Sequence, residues 1–209
     1  MSHPAEPWVA WAQRVAAIAQ NGLTFAANHY ERERYEELRT LAAEMLAAIG
    51  EAPVERVRDL LAGQSGYATP KVDVRGAIFE ADRVLLVREV LDGGWTLPGG
   101  WADPSDTPRE AVEREIREES GYLARAVKLA AVYERARQGH VPPHPFAVFK
   151  LFFVCERTGG EAQTSPETDA VDFFPVDALP PLSLARTTPA EILRLHEHAR
   201  QPGLPTDFD

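Results

Sequence analysis

One short helix crowded with carboxylates constrains this chain more than any other feature. The stretch from Gly100 to Tyr122 reads GWADPSDTPREAVEREIREESGY. Thr107, Pro108 and Glu110 have the spacing of a capping box with proline at the first helical position. A glycine then follows the helix, where a left-handed residue is favoured. The local signals therefore predict a helix with well-defined ends.

Three glutamates fall on one side of this predicted helix. Glu115, Glu118 and Glu119 occupy positions i, i+3 and i+4, so they lie within about one turn. Like charges at this spacing repel one another, and a divalent cation would neutralise them. The alternative is a solvated helix face on which Arg114 and Arg117 pair with the glutamates. Charge pattern alone favours that alternative, but the turn-rich WTLPGG before the helix is not needed by a plain surface helix.

The whole stretch resembles the Nudix box, G-x5-E-x7-R-E-U-x-E-E-x-G-U, in which U is a bulky apolar residue. The single departure is Asp106, which stands where the pattern has Glu and shortens the reach of that carboxylate. A match of this length with fixed spacing is far more specific than a lone glycine-rich loop. The matching positions are Gly100, Arg114, Glu115, Ile116, Glu118, Glu119, Gly121 and Tyr122.

Segments outside the box are similar to one bacterial Nudix subgroup. They are YERERYEELRTLAAEML, TPKVDVRGAIF, PHPFAVFKLFFVCE and PPLSLART, so the likeness covers nearly the whole chain. That subgroup has a helical N-terminal extension and is described as hydrolysing X-linked nucleoside diphosphates. Its members are labelled ADP-ribose or CDP-choline pyrophosphatases.

Hydrophobic periodicity divides the chain into a helical part and a mixed part. Amphipathic helices are predicted from Trp8 to Gly22, from Tyr30 to Ile49 and from Pro53 to Gly63, and the tryptophans of the first are expected in packed core. The segment from Gly63 to Pro70 has the composition of a linker. We therefore predict a helical N-terminal domain over residues 1–66, which dimerises or caps the substrate, and a Nudix hydrolase domain over residues 67–209.

The second part alternates irregularly between strands and helices. Strands are predicted near residues 72–78, 84–87, 122–136, 146–156 and 170–174, with LDGGWTLPGG as a loop and a last helix from about Pro189 to Arg200. Because this order is not a regular βαβα alternation, we expect an α/β fold with a mixed sheet between helices. The resemblance implies the same architecture, an α/β/α sandwich preceded by a small all-helical domain.

Composition excludes several classes of partner. The formal net charge of −10 argues against nucleic-acid binding and against binding to an anionic membrane. The single cysteine, Cys155, rules out an intramolecular disulfide framework and suits a reducing compartment. Neither a membrane-spanning apolar run nor a signal-peptide pattern is found. We predict a cytoplasmic protein, and the amphipathic helices make a homodimer the expected assembly.

The carboxylates predict a metal site. A negatively charged pyrophosphate can approach them only if Mg²⁺ or Mn²⁺ lies between, because these hard cations prefer oxygen ligands. Glu115 and Glu119, one helical turn apart, are the first expected ligands, and Glu118 is either a third ligand or holds a water. The resemblance adds the carbonyl of Gly100. Arg114 is not a metal ligand, and we expect it to orient a neighbouring carboxylate by ion pairing.

The remaining site residues are less well defined by sequence. The expected general base is Glu118 or Glu167, and Glu161 is a weaker candidate in the same loop as Glu167. Each loop acid is about equally well explained as a solvated side chain. Substrate contacts are predicted from residues that would otherwise be exposed or paired with acids, namely Arg75, Arg88, Tyr133, Arg135 and His144.

Two other functions are compatible with the same sequence. One is hydrolysis of nucleoside triphosphates or of RNA 5′ ends on the same metal platform, although the acidic charge argues against RNA. The other is a non-catalytic Nudix module that senses a nucleotide. The intact glutamates Glu115, Glu118 and Glu119 argue against a sensor, which does not need hydrolytic carboxylates.

Overall fold

The computed structural model describes residues 7–209, so the first six residues of the predicted N-terminal domain lie outside the described part of the chain. The chain forms two compact units. The first comprises the chain up to Pro70 together with Val141–Ala147, and the second comprises Lys71–His140 and Val148–Asp209. The predicted boundary at residues 66 and 67, and the roles given to each side of it, stay predictions.

Three helices make up most of the first unit: α1, Pro7–Phe25; α2, His29–Ile49; and α3, Val54–Ala62. The side chain of Asn28 accepts a hydrogen bond from the backbone of Glu31 and caps α2. The helices pack through small and branched side chains, chiefly Ala12, Ala42, Ala43, Leu46, Val57 and Leu61.

Two details of α1 differ from the expectation. The helix does not end at Gly22, because this glycine serves close packing: a Cβ there would lie 2.3 Å from the ring of Tyr35 on α2. Trp8 and Trp11 are also not core residues, since 56% and 51% of their surfaces are exposed. Along with Ile18 they form an exposed apolar stripe on α1.

The second unit is built on one mixed sheet of eight strands in which β1 is central. The strand order is β3-β2-β1-β6-β5-β8, with β4 added beside β1 and β7 beside β2. The pairs β1–β6 and β5–β8 are parallel and the others antiparallel. The strands are β1, Lys71–Glu80; β2, Arg83–Glu89; β3, Trp95–Thr96; β4, Gly99–Trp101; β5, Tyr122–Glu134; β6, Val148–Gly160; β7, Thr168–Pro175; and β8, Asp207–Phe208.

A helix covers each face of this sheet. Helix α4, Pro108–Ser120, packs through Val112 and Ile116 onto one face, and α5, Pro189–Arg200, packs through Ile192 and Leu195 onto the other. The expected α/β/α sandwich with a mixed sheet is therefore confirmed.

The sequence missed three short elements. The segment LDGGWTLPGG is not only a loop, because it contains β3 and β4, whose two and three residues are too few to show an alternating pattern. The short β8 pairs with β5 beyond the last predicted helix. A single 3₁₀ turn, Arg135–Arg137, ends β5.

Within residues 7–209, none of the helices combines the length and the apolar character that crossing a bilayer requires.

A buried group of charges links β1 to β6. Asp73 accepts hydrogen bonds from Arg75 and from Lys150, and all three residues are at most 5% exposed. Burial on its own would raise the pKa of Asp73, but Arg75 and Lys150 outweigh it and lower the pKa to about 2. The carboxylate is therefore charged under ordinary conditions and compensates two buried cations.

Replacement of Asp73 by asparagine should destabilise the fold, because two buried cations lose their counter-charge. We expect a loss of about 3–5 kcal/mol in the free energy of unfolding, measured by denaturant titration. Asp172→Asn is the matched control, since Asp172 lies 3.8 Å from Arg83 with both side chains largely exposed, and should cost at most about 1 kcal/mol. Equal losses in the two variants would contradict this account.

Candidate active site

A single cleft of about 620 Å³ in the second unit brings the predicted carboxylates together. Acidic and basic side chains dominate its wall, with backbone contributed by the glycines before α4. The cleft is lined by Arg75, Glu89, Gly99, Gly100, Trp101, Asp103, Arg114, Glu115, Glu118, Glu119, Ser165, Pro166, Glu167 and Arg186.

Helix α4 is fixed at both ends, which places its glutamates. Thr107 and Glu110 form the predicted capping box, with each side chain accepting a hydrogen bond from the other residue's backbone. Gly121 ends the helix with φ of 75°. Because Ile116 is held in the core beneath the helix, the three glutamates of the box line the cleft.

Gly99 and Gly100, which begin β4, lie close to the glutamates. Gly99 has φ of 146°, and a Cβ there would lie only 2.0 Å from the carbonyl oxygen of Val74. Its N–H donates a 2.9 Å hydrogen bond to Glu119 Oε2. At Gly100, a Cβ would lie 3.0 Å from Glu115 Oε2. Glycine is therefore required at position 99, whereas a side chain at position 100 would displace the Glu115 carboxylate by a few tenths of an ångström.

The three glutamates differ in their surroundings. Glu119 is 6% exposed, whereas half of the Glu118 side chain is exposed. Burial raises the pKa of Glu119 to about 7, with further contributions from Glu89 and Glu115 that Arg75 and the Gly99 N–H oppose. Burial likewise raises the pKa of Glu115. The cleft therefore disfavours additional negative charge and favours a bound cation.

Arg114 connects the box carboxylates. Its Nε donates to Asp106 Oδ2 at 2.9 Å, and its Nη1 donates to Glu115 Oε1 at 2.8 Å and to Glu118 Oε2 at 3.1 Å. Asp106, the one departure from the box, therefore still reaches the arginine. The hydrogen bond that Arg114 donates to Asp106 is the main reason that the pKa of Arg114 is raised.

The donor set suits a hard divalent cation. Carboxylate and carbonyl oxygens are the ligands that Mg²⁺ and Mn²⁺ prefer, and the wall around Glu115, Glu118, Glu119 and Gly100 supplies them. Among residues 7–209, however, no group of three or more His, Cys, Asp or Glu side chains is already arranged to hold a metal ion. Glu115 and Glu118 are held by Arg114, so ion binding would require them to exchange these contacts.

Only some of the predicted substrate residues reach the cleft. Arg75 and Glu167 line it. Arg88 instead pairs with Asp169 at 2.6 Å, and Tyr133 donates to Asp207 at 3.1 Å. The described residues that line the cleft do not include Arg88, Tyr133 or Arg135.

Two of the remaining predicted residues are held by backbone contacts. The buried Arg135 donates to the carbonyl oxygen of Ala185. His144 belongs to the first unit, where its carbonyl accepts a hydrogen bond from Gln13. Their assignment to substrate binding stays a prediction.

The sequence missed two charged residues of the cleft, Glu89 and Arg186. Glu89 is 5% exposed at the end of β2, and its Oε1 lies 2.9 Å from Arg186 Nε. Burial raises the pKa of Glu89, although Arg186 and Arg75 act in the opposite direction. The sequence signal for Glu89 is a charged residue at the end of a buried apolar strand. Its partner, Arg186, lies 97 residues later in the chain, so the sequence does not indicate the pair.

Two family models match the chain. One, described as a UDP-X-like, N-terminal oligomerisation domain, matches residues 6–61, and the NUDIX domain matches residues 69–195. The chain belongs to the Nudix family. The resemblance inferred from the box is thus confirmed, and this Nudix protein is a hydrolase of the pyrophosphatase type.

Relatives of this Nudix hydrolase align along most of its length. "Putative ADP-ribose pyrophosphatase YjhB" of Bacillus subtilis is 46% identical, with 97% of each chain covered. A crystal structure of an ADP-ribose pyrophosphatase from Streptococcus suis has 39% identity and a TM-score of 0.62, covering 68% of this chain and all of that one. The crystal structure of a UDP-X diphosphatase has 35% identity and a TM-score of 0.63, covering 99% of this chain and all of the other.

Alanine at Gly99 and alanine at Gly100 should have different effects. Gly99→Ala places a Cβ against backbone, so we expect a loss of at least about 2 kcal/mol in the free energy of unfolding. Gly100→Ala meets only the end of the Glu115 side chain, so the fold should survive while catalytic efficiency falls at least about tenfold. Denaturant titration and steady-state kinetics measure the two effects.

Gly203→Ala is the control, because a Cβ at Gly203 has no neighbour within 4 Å among the described residues. A Gly99→Ala protein as stable as this control, or a fully active Gly100→Ala protein, would show that these positions are not restricted as described.

Proposed function

We propose that this Nudix hydrolase cleaves the pyrophosphate linkage of a nucleoside diphosphate joined to a further group, X. Water attacks one phosphorus atom, the bridging P–O bond breaks, and the products are a nucleoside monophosphate and phosphorylated X. The observation that carries the proposal is that the three box glutamates share one cleft with Gly99, Gly100 and three arginines. ADP-ribose and CDP-choline are the expected types of substrate, and the name of one relative adds UDP-linked compounds.

We assign metal binding to the oxygen donors around α4. Glu115, Glu119 and Glu118, with the carbonyl of Gly100, would hold Mg²⁺ or Mn²⁺. When bound, such a cation neutralises phosphate charge and makes a bound water more acidic. The raised pKa values of Glu115 and Glu119 support this assignment, because both carboxylates lie where uncompensated negative charge is costly.

Protein side chains would orient the carboxylates and accept the proton of the water. Arg114 orients Glu115 and Glu118 through its Nη1. Glu118 is one candidate for the base, and Glu167 is the other. The loop that carries Glu167 is attached to α4 because Thr168 Oγ1 donates to the carbonyl of Glu119 at 2.7 Å. This attachment supports Glu167 as a base that acts in the same cleft.

We further propose that the first unit makes the protein a homodimer. The exposed stripe of Trp8, Trp11 and Ile18 on α1 is the kind of surface that a second copy covers. The family model that matches residues 6–61 is described as an oligomerisation domain.

Sedimentation should show the dimer and its dependence on the stripe. The full chain is expected to sediment at twice its monomer mass at micromolar concentration, and Trp11→Ser should shift it towards monomer because apolar burial is lost. Replacement of the exposed Leu91 in the second unit by serine is the control. A wild-type chain that is monomeric throughout would exclude the dimer.

The cleft gives less support to one of the two rival functions, the sensor. A sensor has no need of three glutamates around a metal-binding cleft. Hydrolysis of nucleoside triphosphates uses the same platform, so only substrate preference separates it from the proposed reaction.

A substrate panel tests the proposal directly. ADP-ribose, CDP-choline, UDP-sugars, NADH and nucleoside triphosphates are each incubated with the full chain and Mg²⁺ or Mn²⁺, and the products are separated by chromatography. We expect turnover of at least one nucleoside diphosphate–X, with a nucleoside monophosphate as product. Tight binding of one compound without turnover of any would favour the sensor, and preference for triphosphates would favour the first rival.

A matched pair of variants on α4 ties this turnover to the glutamates. Glu119→Gln keeps an acceptor for the Gly99 N–H and removes the charge, so the rate should fall by several orders of magnitude with the fold retained. Glu113→Gln is the control on the same helix, because Glu113 accepts a hydrogen bond from Ala126 and is not among the residues lining the cleft. Near-wild-type activity in Glu119→Gln would remove the metal assignment.

A further inference from the structure

One guanidinium in the cleft keeps solvent-accessible donors that the protein does not use. Arg186 Nε lies 2.9 Å from Glu89 Oε1, and Nη1 donates to Ser183 Oγ at 3.1 Å and to Asp92 Oδ2 at 3.4 Å. Nη2 has no hydrogen-bond partner among residues 7–209, and 24% of the side chain is exposed. Because 3.4 Å is long for a hydrogen bond, Nη1 can also exchange its contact with Asp92.

The other two arginines of the cleft are already committed. Arg75 bonds to Asp73 through Nε and Nη2 and to the carbonyl of Leu97 through Nη1, and its side chain is only 6% exposed. Arg114 is shared among the acids of the box through Nε and Nη1, and its Nη2, which has no hydrogen-bond partner among the described residues, is buried and closed to a ligand. Arg186 is therefore the cleft cation that is most available to a ligand.

The backbone that carries Arg186 is attached firmly to β3. Trp95 donates its N–H to the carbonyl of Pro181 at 2.9 Å, and Ser183 donates its N–H to the carbonyl of Trp95 at 2.8 Å. Gly94 permits this contact, since a Cβ there would lie 2.6 Å from Ser183 N. Arg186 then donates its own N–H to the carbonyl of Ser183 at 2.8 Å. The guanidinium is thus positioned before any ligand arrives, which lowers the entropic cost of binding.

The charge of the cleft calls for such a contact. Six carboxylates and three guanidinium groups line it, and a substrate with two phosphates adds negative charge. Arginine matches phosphate oxygens through its planar fork of N–H groups. Glu89, itself buried, holds Arg186 through Nε and leaves Nη2 for the ligand.

We propose that Arg186 binds a phosphate of the substrate and that Glu89 is the positioning residue that aims its guanidinium. The inference deepens the proposed function and rests on it for the identity of the phosphate, which belongs to a nucleoside diphosphate–X.

The role of Arg186 is tested by steady-state kinetics of full-length variants. The substrate is the one that the wild-type protein hydrolyses most efficiently. Arg186→Gln should raise KM about 10- to 100-fold, the loss expected for a hydrogen bond to a charged group, with kcat changed less than about threefold. Arg186→Lys should recover part of the loss, because it keeps the charge without the fork. Arg83→Gln, an exposed arginine of β2 that pairs with Asp172, is the matched control and should behave as wild type.

A double-mutant cycle tests the positioning role of Glu89. Glu89→Gln should raise KM, and the Glu89→Gln/Arg186→Gln protein should show little further increase over Arg186→Gln. Additive effects would show that Glu89 does not act through Arg186.

Calorimetric titration with ADP separates this inference from the proposed function. Weaker ADP binding in Arg186→Gln, with unchanged binding in Arg83→Gln, supports the phosphate contact even if wild type turns over no substrate in the panel. Unchanged ADP affinity and unchanged KM in a folded Arg186→Gln protein would overturn it. If that variant fails to fold because Glu89 is left uncompensated, the double variant decides the question, and wild-type ADP affinity there would equally overturn the inference.

Discussion

Repulsion among buried carboxylates is the constraint around which the catalytic unit is arranged. Glu89, Glu115 and Glu119 lie in one cleft, where burial raises the pKa of each. Arg75, Arg114 and Arg186 offset part of this charge without removing the excess of acids. A site of this kind is unfavourable when empty and favourable around a cation, which is the electrostatic condition that metal-assisted phosphoryl transfer needs.

The fold maintains this unfavourable arrangement through backbone geometry. Gly99 lies so close to Val74 that only glycine fits, and its N–H is fixed on Glu119. Helix α4 is anchored by its capping box and by Ile116, so the glutamates cannot separate by moving the helix. The apolar contacts of the sandwich therefore supply the free energy that keeps like charges together.

Local features of this arrangement were readable from sequence, whereas long-range ones were not. The caps and the one-turn spacing of Glu115 and Glu119 predict α4 and its cleft side, because both depend on neighbours within a few residues. The pairing of Glu89 with Arg186 depends on how distant strands and loops meet. Side chains alternate along a strand, so Arg88 faces solvent and Glu89 faces the cleft. The apolar run of β2 is buried on both faces, and it therefore does not indicate from sequence which of the two residues enters the cleft.

Strand irregularity limits what the sequence can predict about β5. Three register shifts interrupt its pairing with β6, so the side to which Tyr133 points cannot be counted along the strand.

Mn²⁺ titration of the full chain, followed by electron paramagnetic resonance, tests the central claim most directly. The account predicts bound Mn²⁺ in wild type and in Glu113→Gln, with affinity at least about tenfold weaker in Glu119→Gln. Equal Mn²⁺ binding in all three proteins, or none in wild type, would contradict the claim that these carboxylates are there to hold a cation.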